Sequence, residues 1–253
     1  MKNFVLSIAD TKFEIYLLHV GVLFNYLTKK YKPFISTTQI HNSDVKLYFL
    51  FSNHYFCGTQ LANNLTFSEE KGDVFFRLKH SYCGKYSVPK REGYFIIPAK
   101  REFFNTIMRI ILALVDSKRI LLLHAASVVK NKKGLLLIGL PETGKTTISK
   151  KYPPESVLSD ELSILVYENG KYYLYSSPFH SDDVKPSKLH KKVELYKVYL
   201  LTKYKLNKTE IANYILKNVV FSSRESYKEN LKHVKKILYK FSPLVVNVRN
   251  FLV

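Results

Sequence analysis

One short segment constrains this chain more than any other. Residues 139–146 read Gly-Leu-Pro-Glu-Thr-Gly-Lys-Thr, which follows the phosphate-loop pattern G-x-x-x-x-G-K-[ST]. The apolar run Leu-Leu-Leu-Ile at 135–138 precedes the loop as a strand, and residues 147–150 can continue it as a helix. A chance match would leave only a glycine-punctuated strand-to-helix turn, but strand, loop and helix occur in the order that the pattern requires. The sequence therefore predicts an α/β fold with a site for a nucleoside triphosphate.

Each residue type that the pattern fixes has a physical role. Gly139 and Gly144 let the backbone curl so that its N–H groups point at phosphate oxygens. Lys145 neutralises the β- and γ-phosphates, and the Thr146 hydroxyl is a ligand for Mg²⁺. We expect ATP to contact the whole loop, which comprises Gly139, Leu140, Pro141, Glu142, Thr143, Gly144, Lys145, Thr146 and Thr147.

Two further features lie on either side of the loop. Asp160 and Glu161 follow the apolar residues Val157 and Leu158, and a carboxylate there can hold Mg²⁺ or take a proton from a hydroxyl. Asp160 comes only 15 residues after Lys145, which leaves room for a short helix and an immediate return strand. His124 lies in an apolar strand before the loop. It is either a hydrogen-bonded core histidine or, if the two strands pair, a residue of the site.

Together these features resemble the HPr kinase/phosphorylase superfamily, and more closely its shorter relatives from peptide-modification gene clusters. The similar residues are Leu123-His124-Ala125-Ala126-Ser127, the loop, and Leu158-Ser159-Asp160-Glu161. The resemblance covers about residues 101–253 and includes a preceding helix and a closing strand at 245–249. It implies a phosphate-loop kinase core of the HPr kinase and PEP carboxykinase type, with a mostly antiparallel mixed sheet.

The resemblance also implies roles for particular residues. Asp160 would be the general base, His124 would orient it, and Lys145 would act on the phosphates. Thr146 with Asp160 or Glu161 would hold Mg²⁺. The chain departs from the family pattern at Glu142, where a small residue is usual, and at Glu161, where the family has Asp. It also lacks the Glu-Ile-Arg-Gly-Leu-Gly signature, so HPr itself is not the expected acceptor.

Charge and composition bound the partners and the compartment. The net charge is +20, and residues 185–240 carry 15 basic against four acidic residues. Such a segment either docks an acidic peptide or RNA, or is a solvated helix face, with Lys228, Lys232, Lys235 and Lys236 on one outer face. Cys57 and Cys83 are expected as free thiols. Without a signal-peptide pattern or a long apolar run, a cytoplasmic protein with no membrane contact is expected.

Hydrophobic patterning and turn residues predict the domains and the secondary-structure elements. Residues 1–100 are expected to form a small N-terminal α+β region of unknown role, with a hairpin at 4–17 and a β-meander at 65–98. The meander is expected to turn at Lys71-Gly72, Cys83-Gly84 and Glu92-Gly93. Residues 101–253 would form the nucleotide-binding domain, with continuous strands at 119–129 and 157–166 and a basic helical last third. Capping boxes are expected at Asn207 with Glu210 and at Ser222 with Glu225.

Three functions remain open from the sequence. The first is an ATP- and Mg²⁺-dependent kinase that phosphorylates a serine-type hydroxyl of a peptide, protein or small molecule. The second, favoured only by the charge, is an RNA or polynucleotide kinase. The third is a nucleotide-binding regulatory module without activity, in which Glu142 and Glu161 mark its loss.

Overall fold

The chain is an α/β protein with mixed sheets and few helices. The computed structural model describes residues 1–36, 43–52, 65–78, 82–181, 192–220 and 223–247. Two compact units divide the chain, Met1–Val115 and Asp116–Val253.

The first unit is built on a seven-stranded mixed sheet. Its order is β1 (Lys2–Ile8), β2 (Thr11–Leu18), β3 (Val45–Phe51), β7 (Glu92–Ile97), β6 (Tyr82–Ser87), β5 (Asp73–Leu78) and β4 (Leu65–Glu70). The β1–β2 pair confirms the hairpin predicted at 4–17, and the pairs β2–β3 and β3–β7 are parallel. Two helices complete the unit, α1 (Leu23–Lys30) and α2 (Arg101–Val115).

The helix α2 belongs to the first unit because its apolar face is buried there. The Phe104 ring lies edge-on to Tyr31, with centroids 5.7 Å apart, and 4.9 Å from the ring of Phe49 on β3. The sequence placed this helix with the nucleotide-binding domain, whereas the compact units divide after Val115.

Two of the three predicted meander turns are wrong. Lys71-Gly72 does connect β4 to β5, but Gly84 lies inside β6 and Gly93 lies inside β7. A Cβ on Gly84 would come within 2.2 Å of the Phe95 ring, and one on Gly93 within 2.7 Å. These glycines make room for a ring lying flat against the strands, which is the other common use of glycine in a sheet.

The second unit contains an eight-stranded sheet around the phosphate-loop strand. Its order is β11 (Val157–Ser159), β9 (Ala125–Lys130), β10 (Lys133–Ile138), β14 (Lys192–Leu201), β13 (Lys171–Tyr175), β12 (Ser163–Glu168) and β8 (Ile120–Leu123), with β15 (Leu244–Val246) paired to β14. Among the strand pairs that the structure describes in this sheet, only β10–β14 and β14–β15 are parallel, so the sheet is mixed and mostly antiparallel. Of the predicted closing strand, positions 248 and 249 lie outside the described residues.

Both long strands predicted in this unit are interrupted. The first breaks at His124 between β8 and β9, and the second breaks after Ser159 between β11 and β12. The breaks lie side by side, because the Ala125 N–H donates to the Glu161 carbonyl over 3.1 Å. On either side of its break, each segment pairs with different strands. This corner lies beside the phosphate loop.

Helices cover the sheet and are capped locally. The short helix α3 (Lys145–Ser149) follows the loop, and α4 (Lys208–Leu216) and α5 (Arg224–Phe241) bury apolar side chains against a core that includes Leu136 and Leu174. The predicted box of Asn207 with Glu210 is confirmed. The second predicted box is wrong, since Ser223 and Ser226 form it, and Ser222 lies outside the described residues. Among the helices described, none is long and apolar enough to cross a membrane.

Candidate active site

The phosphate loop joins β10 to α3 through backbone that only some residues adopt easily. Gly144 has a φ of 88°, in the left-handed region, and α3 begins at the next residue. Glu142 also has a positive φ, 64°. This conformation is unfavourable for a residue with a Cβ. The backbone therefore disfavours Glu142 at a position where the family that the sequence resembles usually has a small residue.

The loop is closed by two hydrogen bonds that the Leu140 carbonyl accepts. The Thr143 hydroxyl donates to it over 2.7 Å, and the Thr143 N–H over 3.3 Å. Space at the start of the loop is equally restricted, because a Cβ on Gly139 would lie 2.2 Å from the Thr143 hydroxyl oxygen. Gly139 is therefore needed for the approach of Thr143.

A residue that the sequence did not single out holds the loop from outside. The Tyr214 hydroxyl, on α4, accepts from the Leu140 N–H over 3.2 Å and donates to the Leu201 carbonyl over 2.6 Å. It thereby ties the loop to the end of β14. Leu140 and Tyr214 are 74 residues apart, and no local pattern marks the tyrosine.

Lys145 is buried beneath the loop, with 6 % of its surface exposed. Its ammonium group donates to the Gly139 carbonyl over 2.6 Å and to the Leu140 carbonyl over 2.8 Å. Burial disfavours the charged form and lowers the pKa of Lys145 from 10.5 to about 8, while the nearby charge of Glu161 acts in the opposite direction. The ammonium group is thus held by two neutral carbonyl oxygens at the start of the loop.

Asp160 lies at the break after β11 and is 1 % exposed. Both of its oxygens accept from one residue: the Ser181 N–H donates to Oδ1 over 3.1 Å, and the Ser181 hydroxyl donates to Oδ2. The Thr146 hydroxyl oxygen lies 3.5 Å from the same Oδ2. The structure therefore brings together the predicted base and the predicted metal ligand of the loop, and it adds Ser181, which no sequence pattern indicated.

The structure brings His124 to the same corner through its backbone. Ala125, the next residue, pairs with Ile138 at the end of β10 and donates to the Glu161 carbonyl. The His124 N–H donates to the Asn218 carbonyl over 2.6 Å, and the residue is half-buried. The predicted strand pairing is confirmed, whereas orientation of Asp160 by the imidazole remains a prediction.

The oxygens at this corner suit a magnesium ion. Hydroxyl and carboxylate oxygens are the donors that Mg²⁺ prefers, and it usually takes one or two carboxylates and completes its shell with substrate phosphates and water. Thr146 and Asp160 provide such a pair, and Glu161 is next in the chain. Within the described part of the chain, no group of three or more His, Cys, Asp or Glu side chains is arranged to hold a metal by itself.

Two of the four lysines predicted on the outer face of α5 make contacts with other side chains of this chain. Lys228, Lys232, Lys235 and Lys236 are all exposed on α5, as the helical spacing predicts. Lys232 pairs with Glu229 over 2.7 Å, and the Lys236 ammonium lies 3.9 Å from the centroid of the Tyr167 ring. Lys185, Lys188 and Lys191 of the same basic segment lie outside the described residues, as does Cys57, while Cys83 is a free, exposed thiol.

Comparison with models of known protein families finds no match for this chain, and comparison with curated proteins finds none either. The resemblance to the HPr kinase/phosphorylase superfamily therefore stays a prediction that depends on the residues quoted for it.

Proposed function

We propose that this chain is an ATP-dependent kinase that transfers the γ-phosphoryl group to a serine-type hydroxyl. One observation carries the proposal: a buried carboxylate oxygen of Asp160 lies beside the loop hydroxyl of Thr146 and already accepts a hydrogen bond from a serine hydroxyl. A kinase needs this neighbourhood of phosphate loop, carboxylate and hydroxyl.

Nucleotide binding would use groups that the loop already orients. The Lys145 ammonium would exchange the carbonyls of Gly139 and Leu140 for oxygens of the β- and γ-phosphates. This exchange replaces neutral partners by anions, so it stabilises the buried cation. Tyr214 would hold the loop in place during this exchange, because its hydroxyl bonds the Leu140 N–H and not the carbonyl oxygens that Lys145 would release.

Thr146, with Asp160 or Glu161, would hold Mg²⁺. The bound ion supplies positive charge against the phosphate oxygens. The remaining work falls to this chain's own side chains: Lys145 orients the phosphates, and Asp160 receives the proton of the attacking hydroxyl. Burial of Asp160 keeps bulk water from competing for its oxygens, and we expect His124 to restrict its orientation.

The decisive variant is Asp160→Asn, which keeps size and shape but removes the base. We expect Mg-ATP to bind within about tenfold of the wild-type affinity, while transfer falls by at least about a hundredfold. Asp10→Asn is the control, because Asp10 lies in an exposed turn at a positive φ that asparagine also adopts. His124→Ala should reduce transfer less than Asp160→Asn does, since its role is to orient.

The assay uses labelled ATP with three kinds of acceptor: serine-containing peptides, small hydroxyl compounds and RNA. Transfer to peptides or small hydroxyl compounds supports the proposal. Transfer to RNA alone would make the chain a polynucleotide kinase, and tight binding without any transfer would make it a regulatory module. If Asp160→Asn abolishes Mg-ATP binding, Asp160 is chiefly a metal ligand and Glu161 becomes the candidate base. Unchanged transfer in Asp160→Asn would overturn the mechanism.

A further inference from the structure

Ser181 stands where the hydroxyl of a phosphoryl acceptor would stand. Its N–H and its hydroxyl both donate to Asp160, one to each carboxylate oxygen. The hydroxyl shares Oδ2 with Thr146, whose oxygen is 3.5 Å away on the loop side. The Ser181 hydroxyl thus already donates to the proposed base. The same carboxylate oxygen lies 3.5 Å from the Thr146 hydroxyl oxygen of the phosphate loop.

We propose that Ser181 is an intrachain phosphoryl acceptor, so that the chain phosphorylates itself at this position. The inference rests on the proposed kinase function and deepens it by naming an acceptor. In the step, the Ser181 Oγ attacks the γ-phosphorus of ATP and a new O–P bond forms. The bond between that phosphorus and the β,γ-bridging oxygen breaks, ADP leaves with the electron pair, and the Ser181 proton passes to Asp160 Oδ2. One ATP is consumed, and the products are ADP and phosphoserine.

The position of Ser181 in the chain favours acceptance over a purely structural role. Serines of the preceding stretch are buried: Ser176 is 3 % exposed, and Ser177 is fully buried with its hydroxyl oxygen accepting from the Phe179 N–H over 3.2 Å. Ser181 is half-buried instead, so it is more accessible than these serines. Its backbone bond to Oδ1 holds the residue in register while the hydroxyl reacts.

Phosphorylation would also change the corner afterwards. A phosphoserine carries about −1.5 to −2 charges at neutral pH, and it would sit against the Asp160 carboxylate. Like charges at this distance repel, so the modified residue should leave Oδ2. Because Ser181 has a single hydroxyl, the reaction adds one phosphoryl group at this position per chain.

The test begins with full-length protein treated with a phosphatase and then freed of it. The protein is incubated with Mg-ATP, and intact mass and peptide mapping by mass spectrometry locate any phosphoryl group. We expect one group per chain at Ser181, none there in Ser181→Ala, and continued modification of Ser181→Thr, which keeps a hydroxyl. Ser68→Ala is the matched control, since Ser68 is exposed on β4 in the other unit and should leave the modification unchanged. Lys145→Ala should abolish it, and Asp160→Asn should slow it at least about a hundredfold.

Mixing variants tests whether the transfer occurs within one chain. Ser181→Ala keeps the loop and the base, and Lys145→Ala keeps the serine, so neither can react alone. We expect no phosphoserine in their mixture, and a wild-type rate that does not change on dilution. Rapid modification of the Lys145→Ala chain in the mixture would overturn transfer within the chain.

Two results would separate this inference from the kinase proposal. If the wild type phosphorylates an external hydroxyl while Ser181 stays unmodified, the chain is a kinase and the inference about Ser181 is wrong. Ser181 is then a positioning residue, and Ser181→Ala should lower kcat for that acceptor while Ser181→Thr restores it. If Mg-ATP binds and no hydroxyl is modified anywhere, both proposals fail.

Discussion

The affinity for nucleotide should depend on pH through one buried lysine. Lys145 is 6 % exposed and rests on two carbonyl oxygens, so burial lowers its pKa to about 8 in the free protein. A bound triphosphate would place negative charge against the ammonium group and raise that pKa again. Binding and protonation are then linked, and raising the pH should weaken binding because the free lysine loses its charge.

The size of the effect follows from the lowered pKa. With a pKa of about 8, the ammonium form falls from about 75 % at pH 7.5 to about 3 % at pH 9.5. If only the charged form binds tightly, affinity falls roughly twenty-fivefold across this range, or about 1.9 kcal/mol. For the free protein we expect the opposite trend in stability. Because the unfolded chain keeps the Lys145 proton up to about pH 10.5, the free energy of unfolding rises from pH 8 towards that value.

Calorimetric titration with ATP at several pH values measures both the affinity and the proton uptake. At pH 8, about half a proton should be taken up per nucleotide bound, seen as a dependence of the heat on the buffer. Lys145→Ala should bind weakly with little pH dependence. Lys151→Ala should behave as the wild type, since Lys151 is exposed. A wild-type affinity that is constant between pH 7.5 and 9.5 would refute a buried, neutralisable Lys145 at the phosphate site.

Three further outcomes are expected. Glu142→Gln and Glu142→Gly should both tighten ATP binding by up to about fivefold, because each removes roughly 1 kcal/mol of repulsion from the phosphates; weaker binding of Glu142→Gln would show that the carboxylate contributes instead. Tyr214→Phe should lower the free energy of unfolding by about 1–3 kcal/mol in urea denaturation, since it leaves the Leu201 carbonyl without its donor. Tyr239→Phe, at a position 93 % exposed, should not. His233 is 2 % exposed and burial lowers its pKa, so the unfolded state binds its proton more readily. Stability should therefore fall as the pH drops below about 6.5, less steeply in His233→Gln, and equal slopes in thermal unfolding would contradict this.

The loop could be predicted because its structure is local. Strand β10, the glycines and α3 are contiguous in sequence, and Gly139 and Gly144 each have a local steric or conformational reason to be glycine. The same holds for the box of Asn207 with Glu210, where two hydrogen bonds close within one helical turn.

Glycines and long apolar runs led to wrong predictions where the pairing of strands decided the local structure. Gly84 and Gly93 both lie under the Phe95 ring. Phe95 is only two residues from Gly93, but it reaches Gly84 through the pairing of β6 with β7, in which the two residues lie opposite one another. The apolar runs around His124 and Asp160 satisfy strand patterning throughout. They break because each segment pairs with different strands on its two sides, which depends on register across the whole sheet.

The candidate site divides in the same way. The sequence by itself determined the phosphate loop, its lysine and threonine, and a carboxylate and a histidine at plausible spacing, since these follow from local chemistry and order. Only the tertiary structure placed Ser181 on Asp160, 21 residues away, and Tyr214 on Leu140, 74 residues away. A hydroxyl makes such a bond only when folding brings its partner within about 3 Å. Sequence neighbours do not encode that distance, because the packing of β9, β10, β11 and β14 sets it.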